Sequence, residues 1–235
     1  MCRWWWSLTY EVVARPNADG RAAALRDLLG RRSMKIALLR HGPTEWNAQG
    51  RVQGHTDIPL SEVGMAKMAG LRLPDTIATT SVFVSPLVRA RQTARLLGLP
   101  DDRTDARLME QNWGAWEGLT REEVFARDGA DAFVKAGSAH GETFRPGGGE
   151  STGELHARVA AFLKDAAREG FSHDVGDAVV VAHLGVLRAA YTLATGWDMA
   201  TPMPAELDVS KILLLELARD GTPSIADLNI DFVST

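Results

Sequence analysis

Two stretches of the chain share one construction, an apolar run that ends in a histidine and opens into a helix. The first is Met34-Lys-Ile-Ala-Leu-Leu-Arg-His-Gly-Pro-Thr-Glu-Trp-Asn47, the second Asp177-Ala-Val-Val-Val-Ala-His-Leu-Gly-Val-Leu-Arg188. Ile36–Leu39 and Val179–Val181 read as strands buried on both faces, because their apolar residues run on without alternation. His41 and His183 then fall just past the carboxyl ends of strands, where open α/β sheets bind ligands. The free N–H groups of the helix that follows each one favour an anion. Two imidazoles at one sheet edge, with Arg40 beside the first, point to a site for phosphate.

The rest of the pattern supplies the layers such a sheet needs. Pro43–Asn47 and Ser61–Leu71 read as helices, the second capped by Ser61. Val82–Val84 is a short strand. Ser85-Pro86 fits an N-cap followed by proline at the first helical position, and Gly98 closes that helix. Residues 119–150 are mixed and polar, with a helical piece around Arg121–Arg127 and a Pro146-Gly-Gly-Gly149 loop. Leu155, Val159, Phe162, Leu163 and Ala166 recur at helical spacing within Thr152–Glu169, and Ile212–Leu215 is a strand. Strands alternating with helices imply a layered α/β domain.

Composition narrows the partners. The chain has 235 residues, 45% of them hydrophobic, which suits one domain with an inserted cap. A net charge of −4 argues against general binding to nucleic acid or a membrane surface, so positive charge at a phosphate site has to be local. The lone cysteine, Cys2, allows neither an intrachain disulfide nor a cysteine-based zinc site and fits a reducing cytoplasm. No apolar run approaches the roughly 18–20 residues that span a bilayer. Residues 1–33 stand apart, with three consecutive tryptophans and six arginines against three carboxylates. They read as an extension ahead of a domain spanning 34–235, for which Met34 fits as the start.

His41 is the candidate nucleophile, since a neutral imidazole attacks phosphorus and Gly42 lets the backbone approach a ligand. Arg40 supplies fixed donors for phosphoryl oxygens. Arg89, one turn into the helix expected from Ser85, can point to the sheet edge. Glu110 lies in a segment rich in Trp113 and Trp116, and a carboxyl shielded by aromatics suits a general acid; Glu117 is a rival in the same segment. His55, His140, His156 and His173 read as loop or helix-surface residues. No metal-binding, Walker-type or dinucleotide pattern occurs, so no cofactor is expected.

Arg40-His41-Gly42-Pro43-Thr44-Glu45-Trp46-Asn47 resembles the signature of the histidine phosphatase superfamily, which includes the cofactor-dependent phosphoglycerate mutases. Five further segments are similar to that family in the same order. They are Gly50–Gly64, Ser85-Pro-Leu-Val-Arg-Ala-Arg-Gln-Thr-Ala94, Leu108-Met-Glu-Gln-Asn-Trp-Gly-Ala-Trp-Glu-Gly118, and Pro146–Ser151 with Val181–Gly185. The resemblance implies a three-layer α/β/α sandwich with a mostly parallel central sheet and a cap at about 105–150. It implies a phosphohistidine on His41, with Glu110 as general acid and base. Arg40, Arg89 and His183 would hold the phosphoryl group, and Asn47, Gln53, Gly54 and Leu184 would complete the pocket. Leu184 departs from the family, which usually has glycine after the second histidine. The expected activity is hydrolysis of a small phosphomonoester without a metal. A mutase is the alternative, although Gln111–Gly118 carries no lysine or arginine where mutases have a basic stretch. A non-catalytic phosphate-binding or interaction module is a third reading. Neither substrate nor oligomeric state is legible.

Overall fold

The computed structural model describes residues 33–77, 80–137, 142–172, 176–199 and 201–235. The extension at 1–32, His140 and His173 lie outside them. In chain order the elements are β1 (Met34–Arg40), α1 (Glu45–Ala48), α2 (Glu62–Ala69), β2 (Leu71–Arg72), β3 (Ser81–Val84), α3 (Val88–Leu96), α4 (Arg121–Asp128), α5 (Ala132–Gly137), α6 (Thr152–Ser172), β4 (Ala178–Ala182), α7 (Leu184–Thr195), β5 (Ile212–Leu217), β6 (Pro223–Ile230) and β7 (Val233–Ser234).

Five strands form the main sheet in the order β3-β4-β1-β5-β6. β3, β4 and β1 are parallel, β5 runs against β1, and β6 runs against β5. Four of the five strands therefore point the same way. Side chains alternate across the sheet. Ile36 and Leu38 enter one core with α6 and α7, and Ala37 and Leu39 enter a second core with α2 and α3. This is the expected α/β/α sandwich. Among the described residues no helix is long and apolar enough to cross a membrane.

The helix starts show what local sequence decides. Thr44 and Asn47 form a reciprocal capping box, so α1 begins at Glu45 rather than Pro43. Ser61 caps α2 through a 3.0 Å bond from Gly64 N. Gly64 is required there, because a Cβ would lie 2.0 Å from Pro43 O. The expectation for α3 fails: Ser85 is not its cap and the helix starts at Val88. Asp57, thirty-one residues upstream, accepts the Val88 N–H at 2.7 Å instead. The polar strand β6, the short pair β2/β7 and α5 were not expected.

Between α3 and α6, Trp116, Val124, Ala132 and Ala136 are buried together in a core of their own. Trp113 and Trp116 stack at 5.8 Å, and Phe133 packs on both. The Pro146–Gly149 turn closes this region by backbone contact, since a Cβ on Gly149 would lie 2.1 Å from Asn112 O.

Candidate active site

The site begins with strand register. Arg40 pairs with Ala182 across β1 and β4, and Val84 pairs with Val181 across β3 and β4. The ladder continues one residue further, through His41 N to Ala182 O and Ser85 N to Val181 O, both 2.9 Å. His41, Ser85 and His183 thus emerge at one level of the carboxyl edge, with the two imidazole centres 5.1 Å apart.

Hydrogen bonds fix what each ring can do. His41 Nδ1 is 2.7 Å from Gly42 O. A carbonyl only accepts, so Nδ1 carries the hydrogen and Nε2 keeps its lone pair. His183 Nε2 is 2.7 Å from Ser85 Oγ, and Nδ1 is buried without a partner. Ser85 Oγ accepts the Leu87 N–H at 3.4 Å and has its own hydrogen to offer His183 Nε2. In the tautomer where Ser85 donates, His183 Nδ1 carries the hydrogen and is a free donor. Burial, with Arg89 and Arg40 alongside, pushes the His41 pKa well below the ordinary imidazole value. Burial and the neighbouring His41 and arginines do the same to His183. Both rings are neutral near pH 7.

Arg89 is the second residue of α3, not a turn into it, and is fully buried. Its Nη2 donates to Gly54 O at 2.7 Å and its Nη1 to Thr56 O at 3.1 Å. Thr93, one turn on, donates to Arg89 O at 2.7 Å and accepts the Gly42 N–H at 2.9 Å, which ties α3 to the histidine turn. Arg40 is partly buried. Neither Arg40 Nε nor Arg89 Nε has a partner. Burial lowers the pKa of both arginines, while Glu110 pulls it back up.

The two carboxylate rivals separate cleanly. Glu110 is buried beside the histidines, and its Oε1 accepts from Gln111 N at 2.8 Å and from Gly185 N in the first turn of α7 at 2.9 Å. It is held by backbone donors rather than shielded by tryptophan. Its main chain is held too: His55 Nε2 lies 2.9 Å from Glu110 O, and Arg158 Nη2 donates to the same oxygen at 3.0 Å. Arg158 is itself anchored by Glu150. Glu117 accepts from His55 N, Thr56 N, Thr56 Oγ1 and Trp113 N. Burial raises its pKa, but those four bonds outweigh it and hold the carboxyl below the usual range. Residues 53–57 therefore meet Glu117, Glu110, Arg89 and the start of α3 at once.

A cavity of about 280 Å³ opens above His41, lined also by Arg40, Asn47, Gln53, Glu110 and Leu184. Thr44 Oγ1 lies 3.0 Å from Asn47 Oδ1 and 3.2 Å from Gln53 Oε1, and Gln53 Nε2 is buried and unpartnered. Gly54 does not line the cavity; its carbonyl holds Arg89, and a Cβ there would lie 2.1 Å from Glu117. Arg89 and His183 lie beneath the lining. The far wall is Trp113, Phe133, Leu155 and Met199, with Arg188 on α7. Local sequence marked none of Ser85, Thr93, His55, Arg158 or Arg188 for these contacts. His55 lies in a loop, as expected, and its ring also tethers the backbone of Glu110. His156 is half-buried with Nε2 unpartnered. Among the described residues no three His, Cys, Asp or Glu side chains converge as a metal site would require.

Residues 36–231 match the histidine phosphatase superfamily (branch 1). The chain is 33% identical to phosphoglycerate mutase-like protein 4 of Arabidopsis thaliana over 76% of this chain and 75% of that one. It is 34% identical to a metal-independent phosphoserine phosphatase of the same plant, over 68% of each. The solved structure of a mycobacterial glucosyl-3-phosphoglycerate phosphatase complexed with VO3 superposes with a TM-score of 0.66 at 25% identity, over 84% of this chain and all of that one.

Proposed function

The chain belongs to the histidine phosphatase superfamily, branch 1, and from that membership we propose that it hydrolyses a small phosphomonoester through a covalent phosphohistidine on His41. The observation that carries this reading is His41 Nε2. Its lone pair is freed by the Nδ1–H bond to Gly42 O, it belongs to a neutral ring, and it shares a cavity with Glu110.

In the first step Nε2 bonds to phosphorus as the ester P–O bond breaks, and Glu110 gives its proton to the departing alkoxide. In the second step Glu110 takes a proton from water, the water oxygen bonds to phosphorus, and the N–P bond breaks to release phosphate. Arg40 Nε, Arg89 Nε and His183 Nδ1–H are three donors without protein partners, and we assign them to the phosphoryl oxygens. Donors fixed before the reaction stabilise developing charge without reorganising, which is the largest catalytic contribution in such sites. Gln53 Nε2 is a fourth unpartnered donor on the same wall. The scheme needs no metal. Relatives named for phosphoserine and glucosyl-3-phosphoglycerate support a small phosphate ester as substrate, and the lone cysteine accords with a cytoplasmic enzyme.

The test is mass spectrometry of a rapidly quenched reaction. An acid-labile phosphate should sit on His41, and His41→Ala should abolish turnover without lowering the melting temperature much. Near-normal turnover by a folded His41→Ala protein would remove the mechanism.

A further inference from the structure

Three arginines at this site leave a buried Nε without a partner: Arg40, Arg89 and Arg188. The phosphoryl group accounts for the first two. Arg188 is left over. It lies on α7 five residues after His183, and no carboxylate among the described residues pairs with it. Arginines elsewhere do find acids, as Arg107 does with Asp105 and Asp165, and Arg158 with Glu150. Glu110 attracts Arg188 through space but forms no ion pair with it, its Oε1 accepting from backbone N–H groups. The Arg188 guanidinium carbon instead lies over the Trp197 ring, 5.2 Å from its centre, a cation–π contact. A partly buried guanidinium whose buried Nε lacks a partner gains from an anionic acceptor.

Its position says where that anion comes from. Arg188 lines the 280 Å³ cavity above His41 and also the adjoining cavity of about 460 Å³. Trp113, Phe133, Leu184 and Met199 are common to both and are apolar. Glu110, the assigned proton donor, lies in the first cavity, so the departing oxygen sits there. A leaving group that extends from the first cavity into the second runs alongside Arg188.

We propose that Arg188 determines specificity by binding a second anionic oxygen group, carboxylate or phosphoryl, carried by the leaving alcohol. This rests on the phosphatase reading and adds the substrate class: a phosphomonoester whose alcohol bears an acid group a few bonds from the ester oxygen, on a skeleton that can lie against an apolar wall. A guanidinium fork binds either kind of oxyanion in two parallel hydrogen bonds.

The experiment has two parts. The first measures kcat/KM for propyl phosphate, 3-(phosphonooxy)propanoate and propane-1,3-diol bisphosphate, with wild type, Arg188→Lys and Arg188→Met. Wild type should prefer at least one acid-bearing ester over propyl phosphate by about 10- to 100-fold, the range for a charged hydrogen-bonded contact. Arg188→Met should erase that preference while leaving propyl phosphate within about threefold, and Arg188→Lys should keep part of it. Which of the two acid-bearing esters gains identifies the oxyanion. The second part uses titration calorimetry with the inert analogues propylphosphonate, 4-phosphonobutanoate and propane-1,3-diylbisphosphonate, which reads the same preference without turnover. Absence of a binding preference in wild type, or an equal loss for all ligands in a variant with an unchanged melt, overturns the proposal. No turnover of any ester alongside an intact binding preference would instead overturn the phosphatase reading and leave the role of Arg188 standing.

Discussion

Two buried neutral imidazoles make stability depend on pH in a calculable way. His41 and His183 both sit well below the ordinary imidazole pKa, chiefly through burial and secondarily through neighbouring positive charge. In the unfolded chain each takes up a proton as the pH falls through about 6.5. The folded chain holds both neutral in that range, so the unfolded state binds more protons and stability falls with falling pH. Below that pH each ring costs on the order of 1 kcal/mol per pH unit for as long as the folded ring stays neutral. A urea titration of wild type and of a His41→Asn/His183→Asn variant isolates this, because every other titrating group is common to both. Wild type should lose stability more steeply than the variant as the pH falls from about 7.5 to about 5.5. The free-enzyme kcat/KM profile should agree, with its acid limb below pH 6.5, because protonated His41 has no lone pair to offer. Equal pH dependence of the two proteins, or an acid limb at or above pH 6.5, would refute the argument.

Further outcomes follow from particular contacts. Glu110→Gln should slow the phosphorylation step far more for an alkyl phosphate than for p-nitrophenyl phosphate in single-turnover kinetics, by about 10²–10⁴-fold, since only the alkoxide needs a proton; equal slowing of both esters removes Glu110 from the acid role. Glu117→Gln should cost about 1–3 kcal/mol in a denaturant melt by weakening a four-donor clamp, without that leaving-group selectivity. Asp57→Ala should lower stability by about 1 kcal/mol through loss of the α3 cap. Excess chelator should leave activity within about twofold, and loss restored by one divalent metal would contradict the scheme. A chain beginning at Met34 should melt and turn over like the full chain; a large drop in either would show that residues 1–33 contribute to the domain.

What the sequence revealed and what it hid divide along the range of the interactions. β1 and β4 were legible because burial on both faces leaves an unbroken apolar run, and a histidine at the end of each run is a local event. α6 was legible because one face of a 21-residue helix repeats on period. Ser85 was misread because Ser-Pro is a strong local cap signal, whereas its partner is His183, ninety-eight residues away. The true cap of α3, Asp57, is also remote, thirty-one residues upstream. β6 gave no signal because an edge strand with exposed positions has no apolar pattern to show. The choice between Glu110 and Glu117 turns on which carboxylate Gly185 and which the 55–56 backbone captures, and both contacts span more than sixty residues of chain. Arg188 looked like any helix arginine, since only the folded chain reveals that its buried Nε has no partner.

Residues 53–57 bear on how such a protein could change over time. That short stretch receives Arg89, steadies the backbone of Glu110 through His55, clasps Glu117 and caps α3. A substitution within it would disturb Arg89 and Glu110 together, the residues proposed to hold the anion and donate the proton, so drift there would be penalised twice. The wall formed by Phe133 and Trp113 rests on a separate aromatic cluster, and its side chains can be exchanged without touching those ties. Trp113 meets those ties only through its backbone N–H, so the aromatic side chains of that wall are the part of the cavity that a lineage could vary at least cost to the rest.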